Sequence, residues 1–223
     1  MKYFNALPLV TQVDQYNNTL LLTNLLSRSY LLPSLSKNVM LFYEYDIQEG
    51  DTPENIAYKY YNNSYKYWII FYSNNIMSPQ SEWPLTNQQF VPHLFDKYKQ
   101  DTANTLSIPV ANVTSSQVLS YTAATIHHYE KIITSTDTQN MQDKVVKIII
   151  DANTYTDLIP TIIQRSFTSG DANGVTVTIK TEKSAKSIYD YEIDLNESKR
   201  KINIMKDYYA PQVEDEFIRL MSQ

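Results

Sequence analysis

Cysteine is absent from this 223-residue chain, which excludes disulfides, thiol nucleophiles and thiolate metal ligands and leaves the redox compartment open. Glycine occurs only three times, so loops that cradle phosphate through glycine backbone have little material. Histidine is equally scarce. His127 and His128 are neighbours whose rings should point to opposite faces of a strand, and His93 is remote, so no shared metal site is expected. The formal charge of -5 and pI near 5.2, with Lys and Arg scattered, exclude a general attraction to nucleic acid. No apolar run approaches the roughly 20 residues of a spanning helix, and the N-terminal MKYFNALPLVTQ lacks an apolar core and a small-residue cleavage site. Neither a membrane nor a cofactor is expected as a partner.

Tyrosine, by contrast, occurs 19 times. Such an excess suits a surface that makes contacts through rings, although biased base composition of a genome produces the same bias. Apolar residues make up 43% of the chain, enough for a buried core in one large domain or two small ones.

The most informative stretch is Tyr45 to Pro84. Phe42, Tyr43, Tyr45 and Ile47 read as a strand, broken by Glu49, Gly50 and Asp51. Thr52 is an N-cap, Pro53 occupies a first-turn position where a missing N–H costs nothing, and Glu54 meets the positive helix end. Ile56, Ala57, Tyr60 and Tyr61 form one helical face, ended by Asn62 and Asn63. Ser64 is placed to cap a second helix, along which Tyr65, Trp68, Ile69 and Tyr72 recur at helical spacing, until Asn74 and Asn75 stop it.

Around this stretch the signals are coarser. Leu20, Leu21, Leu22, Leu25 and Leu26 offer at most about two turns of helical face, or else an ordinary packed strand. Phe90, Leu94, Phe95 and Tyr98 predict a third helix, capped by Thr86 or Asn87, with Pro92 tolerated in its first turn. Asp101 to Ser120, rich in Thr, Asn and Ser, reads as a loop or linker with a boundary near residue 110. The second half reads as β: Ile126 to Lys131, Lys144 to Ile150, and Val175, Val177 and Ile179, with a turn at Gly170–Gly174. Tyr189, Tyr191, Ile193 and Leu195 alternate with acids, and with a turn at Asn196–Lys199 and a return through Ile202 and Ile204 they predict a hairpin over 191–205. Val213, Phe217, Leu220 and Met221 form the stripe of a closing helix started at Pro211.

A strand and two short helices entered through GDT resemble the LysM module, which is often used to grip N-acetylglucosamine polymers. The longer strings PENIAYKYY (53–61), YWIIFYSN (67–74) and SEWPL (81–85), with LLTNLLSRSYLLP (21–33), IHHYEK (126–131) and YEIDLNESKRKINIMKDYY (191–209), resemble the baseplate wedge protein of contractile-tailed bacteriophages that carries a LysM-like domain. The resemblance implies an α+β chain with an N-terminal arm (1–40), a LysM-like domain with its following helix (41–110), and a β-rich docking region (111–223). Within that region, residues 131–187 match nothing in the family and look like an insertion. It further implies a virion structural subunit in the tail baseplate, assembled in the host cytoplasm, whose partners are other wedge subunits and the tail sheath initiator. The motif positions would be Gly50, Asp51, Thr52, Pro53, Glu54, Ile56, Ala57, Tyr60, Tyr61, Trp68, Asn74, Asn75, Trp83 and Pro84. Partner docking would fall to Tyr191, Leu195, Asn196, Arg200, Ile202, Ile204, Val213, Phe217 and Leu220.

Catalysis has no candidate in the sequence. The paired acids Asp190 with Glu192, and Glu214 with Asp215 and Glu216, sit where strand alternation or a helix start already places them. A separation of about 5–9.5 Å suits glycosidases but arises trivially on a strand. Motifs for serine hydrolases, nucleotide binding and zinc proteases are missing. No enzyme is therefore expected. The alternative to a structural subunit is a peptidoglycan-binding module, with Gly50–Glu54 and Asn74–Pro79 flanking a shallow groove.

Overall fold

The computed structural model describes residues 3–27, 29, 31, 35, 38–137, 143–167 and 175–221. The fold is mixed α+β with small sheets. The chain forms two compact units, residues 1–87 with 196–223, and residues 88–195. The boundary expected near residue 110 thus falls inside the second unit.

The first unit opens on a hairpin of β1 (Leu9–Val13) and β2 (Thr19–Thr23), paired from Leu9 with Thr23 to Val13 with Thr19. Its turn is built by Asp14, whose carboxylate accepts from the N–H of Tyr16 at 2.8 Å and of Asn18 at 2.9 Å, and by Asn17 in the left-handed region at φ 64. This corrects the helical face read from the leucines. Leu20, Leu21 and Leu22 are strand residues, because the Asp-Asn turn returns the chain on itself.

β3 (Phe42–Asp46) leads through the expected start signal into α1 (Pro53–Tyr61): the Thr52 hydroxyl accepts from Asn55 N–H at 3.3 Å, and Asn62 closes the helix at φ 50. A short 3-10 turn (Ser64–Lys66) follows, and its cap is Asn63 rather than Ser64. It runs into α2 (Tyr67–Asn74), which ends at left-handed Asn75. A short α3 (Pro79–Glu82) then leaves the module.

The predicted hairpin over 191–205 does not form. Residues Ile188–Ser198 are helix α7, and β8 (Lys201–Met205) pairs antiparallel with β3, Phe42 opposite Met205 and Asp46 opposite Lys201. The deciding signals are an N-cap and a four-residue period. Ser187 accepts from Asp190 N–H at 3.1 Å, and Ile188, Glu192 and Asn196 are the buried positions, so the alternation of tyrosines with acids is incidental.

The two-stranded sheet, α1, α2 and the closing helix α8 (Ala210–Met221) share one core. Ile56, Ile69, Ile70 and Ile204 lie at its centre, fully shielded from solvent. Trp68, 3% exposed, sits with its ring 4.9 Å from Phe217 and 5.9 Å from Tyr3. Asn74 fastens the closing strand. Its amide accepts from Asn203 N–H at 2.7 Å and donates to Asn203 C=O at 2.8 Å, while also donating to Ile70 C=O at 2.8 Å.

In the second unit, α4 (Asn87–Leu106) carries Pro92 at its sixth position, past the first turn where it was expected. It also occupies the first six residues of the expected linker, 101–106. The remainder folds as a 3-10 turn (Val110–Asn112) and α5 (Ser115–Ala124), which starts with a reciprocal capping box between Thr114 and Gln117. Threonine content misled here because Thr102 and Thr122, both fully buried, return their hydroxyls to the carbonyls of Tyr98 and Val118 at 2.9 Å, which hides the polar group inside a helix.

β4 (Ile126–Asp137), β5 (Asp143–Ile150), β6 (Thr161–Phe167) and β7 (Val175–Ser187) form an antiparallel sheet in the order β5-β4-β7-β6, with α6 (Ala152–Asp157) between β5 and β6. The strands read at 126–131, 144–150 and 175–179 are therefore present. The expected turn at Gly170–Gly174 lies outside the described residues.

Trp68→Ala is expected to destabilise the first unit by about 3–5 kcal/mol, read as a lowered thermal midpoint. An unchanged melt would contradict its place in the core. Asn74→Ala should cost about 2–4 kcal/mol, since it strands the buried-edge N–H and C=O of Asn203 as well as losing their bonds; a denaturant titration measures this.

Candidate interaction surfaces

The GDT turn is a frame rather than an open site. Gly50 takes φ 85, a left-handed conformation that suits a residue without Cβ. The Asp51 carboxylate accepts from the Tyr45 hydroxyl at 2.7 Å and from Gln48 N–H at 2.9 Å. Burial and this carboxylate push the Tyr45 phenol up to about 12. The Trp83 indole donates to Asp51 C=O at 3.3 Å and meets Phe71 edge-on at 6.0 Å, so the SEWP segment, with Pro84 buried, is strapped to the turn. Thr52, Pro53 and Glu54 start α1, and Ile56, Ala57, Tyr61 and Trp68 are core. The Tyr61 hydroxyl donates to Met205 C=O at 2.9 Å, and burial pushes its titration upward. Of the eight aromatic residues crowded between 58 and 72, Tyr58 and Tyr65 remain exposed.

The residues expected to dock partners are mostly spent inside the chain. Ile202, Ile204 and Phe217 belong to the first unit's core, with Val213 packed at its margin. These side chains are therefore not offered to another protein, because the core they complete is their own. Asn196 grips Leu85, accepting from its N–H at 2.7 Å and donating to its C=O at 3.0 Å. Arg200 donates to Ile47 C=O at 3.1 Å and pairs with Glu197 and Glu49 at 2.8 and 3.3 Å. Its hydrogen-bonded carboxylates hold the guanidinium charge even more firmly than usual. Tyr191 stacks on His127 with ring centroids 3.9 Å apart. Leu195 and Leu220 keep exposed side chains.

His127 and His128 do not point to opposite faces. An irregularity in the β4–β7 register between Ile126 and His128 lets the two Nδ1 atoms approach to 2.7 Å, and His128 Nε2 lies 3.1 Å from Glu130. A bulge breaks the two-residue alternation on which the expectation rested. Even so, no group of three or more metal-ligating side chains is assembled among the described residues.

Glu192 corrects the reading of the acids. It is 3% exposed, where alternation placed it on a solvent face, and it receives Lys97 Nζ at 2.7 Å and the Tyr98 hydroxyl at 2.6 Å. Burial pushes its carboxyl up, but these two bonds outweigh burial and hold it below the usual range. Burial and the same carboxylate push the Tyr98 phenol upward. A buried acid tied to a lysine and a tyrosine on the same structural element suits a structural cross-link.

An open cleft of about 460 Å³ lies in the first unit. Tyr3, Phe4 and Leu25 of the N-terminal segment face Trp68, Tyr72 and Met77 across it. Asn75, Ile76 and Pro79 also line it, but no residue of Gly50–Glu54 does, so the two segments expected to flank a glycan groove do not share this cleft. Among the described residues no helix is long and apolar enough to cross a membrane. Comparison of the sequence with protein-family models and with curated proteins finds no match.

Hairpin β1–β2 is an apolar surface left open to solvent. Every residue of both strands is exposed, and Leu9, Val10, Val13, Leu20, Leu21 and Leu22 are between 42% and 63% open to solvent. The sheet of the second unit shows similar uncovered residues on its edge strands, Val145, Ile148 and Ile149 of β5 and Ile162 and Ile163 of β6. Sequence reasoning missed the uncovered edge strands of the second unit, because an apolar strand is read as buried whether its cover comes from its own chain or from another.

The Glu192 cross-link makes a pH prediction. A carboxyl held low in the folded state gives up its proton more readily there than in the unfolded chain. Its stabilisation is complete above the ordinary value of 4.5 and fades as pH falls through the lower folded value. Glu192→Gln should therefore lower stability at pH 7 and flatten the acid limb of a stability–pH curve. A limb as steep as the parent's would contradict the assignment.

Proposed function

We propose that this chain is a structural subunit of a phage contractile-tail baseplate wedge, which binds neighbouring wedge proteins and helps wedges join around the hub. The observation that carries the reading is the hairpin β1–β2, whose six large apolar side chains are each 42–63% exposed and lie outside the core of the first unit. Solitary two-stranded hairpins are marginal in water, and this one exposes apolar side chains on both faces, Leu9, Val13 and Leu21 on one and Val10, Leu20 and Leu22 on the other, as protein-contact surfaces do. The order strand, helix, helix, returning strand in the first unit supports the LysM-like character of the module suggested by GDT, PENIAYKYY and YWIIFYSN.

The hairpin separates folding from assembly. Deleting residues 9–23 should leave the thermal midpoint of the first unit nearly unchanged, because none of these side chains belongs to its core. The same deletion should abolish incorporation into tails, read by electron microscopy of particles assembled with the shortened chain. Particles that carry the shortened subunit at full occupancy would overturn the reading. A pull-down on purified peptidoglycan distinguishes the alternative, and saturable retention there would move the function to glycan binding.

A further inference from the structure

The free edge of β3 carries a second contact surface of a different kind. Lys206 N–H donates to Leu41 C=O and Ile47 N–H to Arg200 C=O, both at 2.9 Å. Odd-numbered residues of this strand therefore turn their backbone groups toward β8, and Phe42, Glu44 and Asp46 turn theirs outward. Phe42 N–H is used by Val39 C=O, and Asp46 C=O accepts from Gln48 Nε2 at 2.7 Å. The backbone N–H and C=O of Glu44 have no such partner among the described residues, and the sheet ends at β3. The strand, whose sequence is FYEYD, has no proline to block pairing, and its exposed charges Glu44 and Asp46 deter strands that do not complement them.

The two faces beside this edge differ in charge. On one, Tyr43, Tyr45 and Tyr60 form a ring cluster, with centroids of Tyr43 and Tyr45 at 6.3 and 5.8 Å from Tyr60. Lys59 Nζ stands 5.1 Å from the Tyr45 centroid and Lys206 Nζ 5.3 Å from that of Tyr43. Neither ammonium forms an ion pair among the described residues. On the other face, Glu44 and Asp46 are exposed. Lys201 stands opposite Asp46 in the register, whereas Glu44 faces Asn203, so Glu44 is the acid with no cation across from it on β8.

We propose that an extended segment of a partner protein adds to the free edge of β3 as a third strand, with a basic residue opposite Glu44 and acidic residues on either side of it. Alternation along the added strand puts that basic side chain on the Glu44 face and both acids on the face of Lys59, Lys206 and the tyrosines. Main-chain bonds to Glu44 supply the pairing, and the opposed charges of the two faces set register and select the segment. This inference does not depend on the virion reading: it concerns a different edge from β1–β2, and either can fail alone.

The test uses the full chain and the capped peptide Tyr-Thr-Glu-Lys-Glu-Thr-Tyr, titrated to about 1 mM and followed by amide NMR. The expected result is a saturable shift and slowed hydrogen exchange at the Glu44 amide. The charge-exchanged peptide Tyr-Thr-Lys-Glu-Lys-Thr-Tyr should bind at least about tenfold more weakly. Glu44→Pro removes an N–H that faces away from β8, so it should fold and lose binding. Lys59→Glu with Lys206→Glu should fold and weaken binding about tenfold, which keeps the test valid if the proline variant unfolds. No shift at Glu44, equal binding of the exchanged peptide, or undiminished binding by a folded variant would overturn the proposal. So would a chain found by sedimentation to dimerise through β3, made monomeric by Glu44→Pro, since the edge would then belong to a second copy.

Discussion

The first unit depends on the closure of β3 by a strand that arrives from far along the chain. Asn74 and Asn203 are 129 positions apart, and the amide of one supplies both a donor and an acceptor to the backbone of the other. A side-chain amide in this role imitates a neighbouring strand: it satisfies the outer edge of β8 without adding one. Extending a closed loop costs only about 0.6 kcal/mol for each doubling of its length, so a whole second unit is tolerated between α2 and β8 provided its two ends are held. They are held by a second amide, Asn196 on Leu85, with Arg200 and Lys199 bonding Ile47 and Ser81.

That closure determines which residues remain for contact with other proteins. Ile202, Ile204, Phe217 and Trp68 are consumed in making one small core, and burying them there is what lets a two-stranded sheet persist. Surfaces left over are of two sorts. Hairpin β1–β2 and the edge strands of the larger sheet are apolar and uncovered, suited to contacts that gain by excluding water. The β3 edge is polar and charged on both faces, suited to selecting one segment over another. Association must offset lost freedom of both chains, so the uncovered apolar residues supply affinity and the charged edge supplies choice.

Local physical chemistry was legible wherever a cap and a period agreed. Thr52, Pro53, Asn62 and Asn75 bounded α1 and α2 within a residue or so, and Val213, Phe217 and Met221 announced α8. Reading failed where one signal mimicked another. Tyr189, Tyr191, Ile193 and Leu195 alternate as a strand does, yet Ser187 and Asp190 start a helix. Thr102 and Thr122 resemble linker residues until their hydroxyls are seen on carbonyls four positions back. His127 and His128 were assigned opposite faces by an alternation that a single irregularity in register cancels.

The sequence by itself determined the α+β class, the short helices of the 53–74 stretch and the strands of the second half. These follow from caps, periodicity and residue types, all of which act over a few neighbours. Only the tertiary structure decided that β8 pairs with β3, that Glu192 is buried against Lys97 and Tyr98, and that the hairpin leucines lie uncovered while Ile204 is sealed. Each of these depends on groups more than 90 residues apart or on the absence of any covering group, and an interaction over such separation leaves no pattern in the local order of residues.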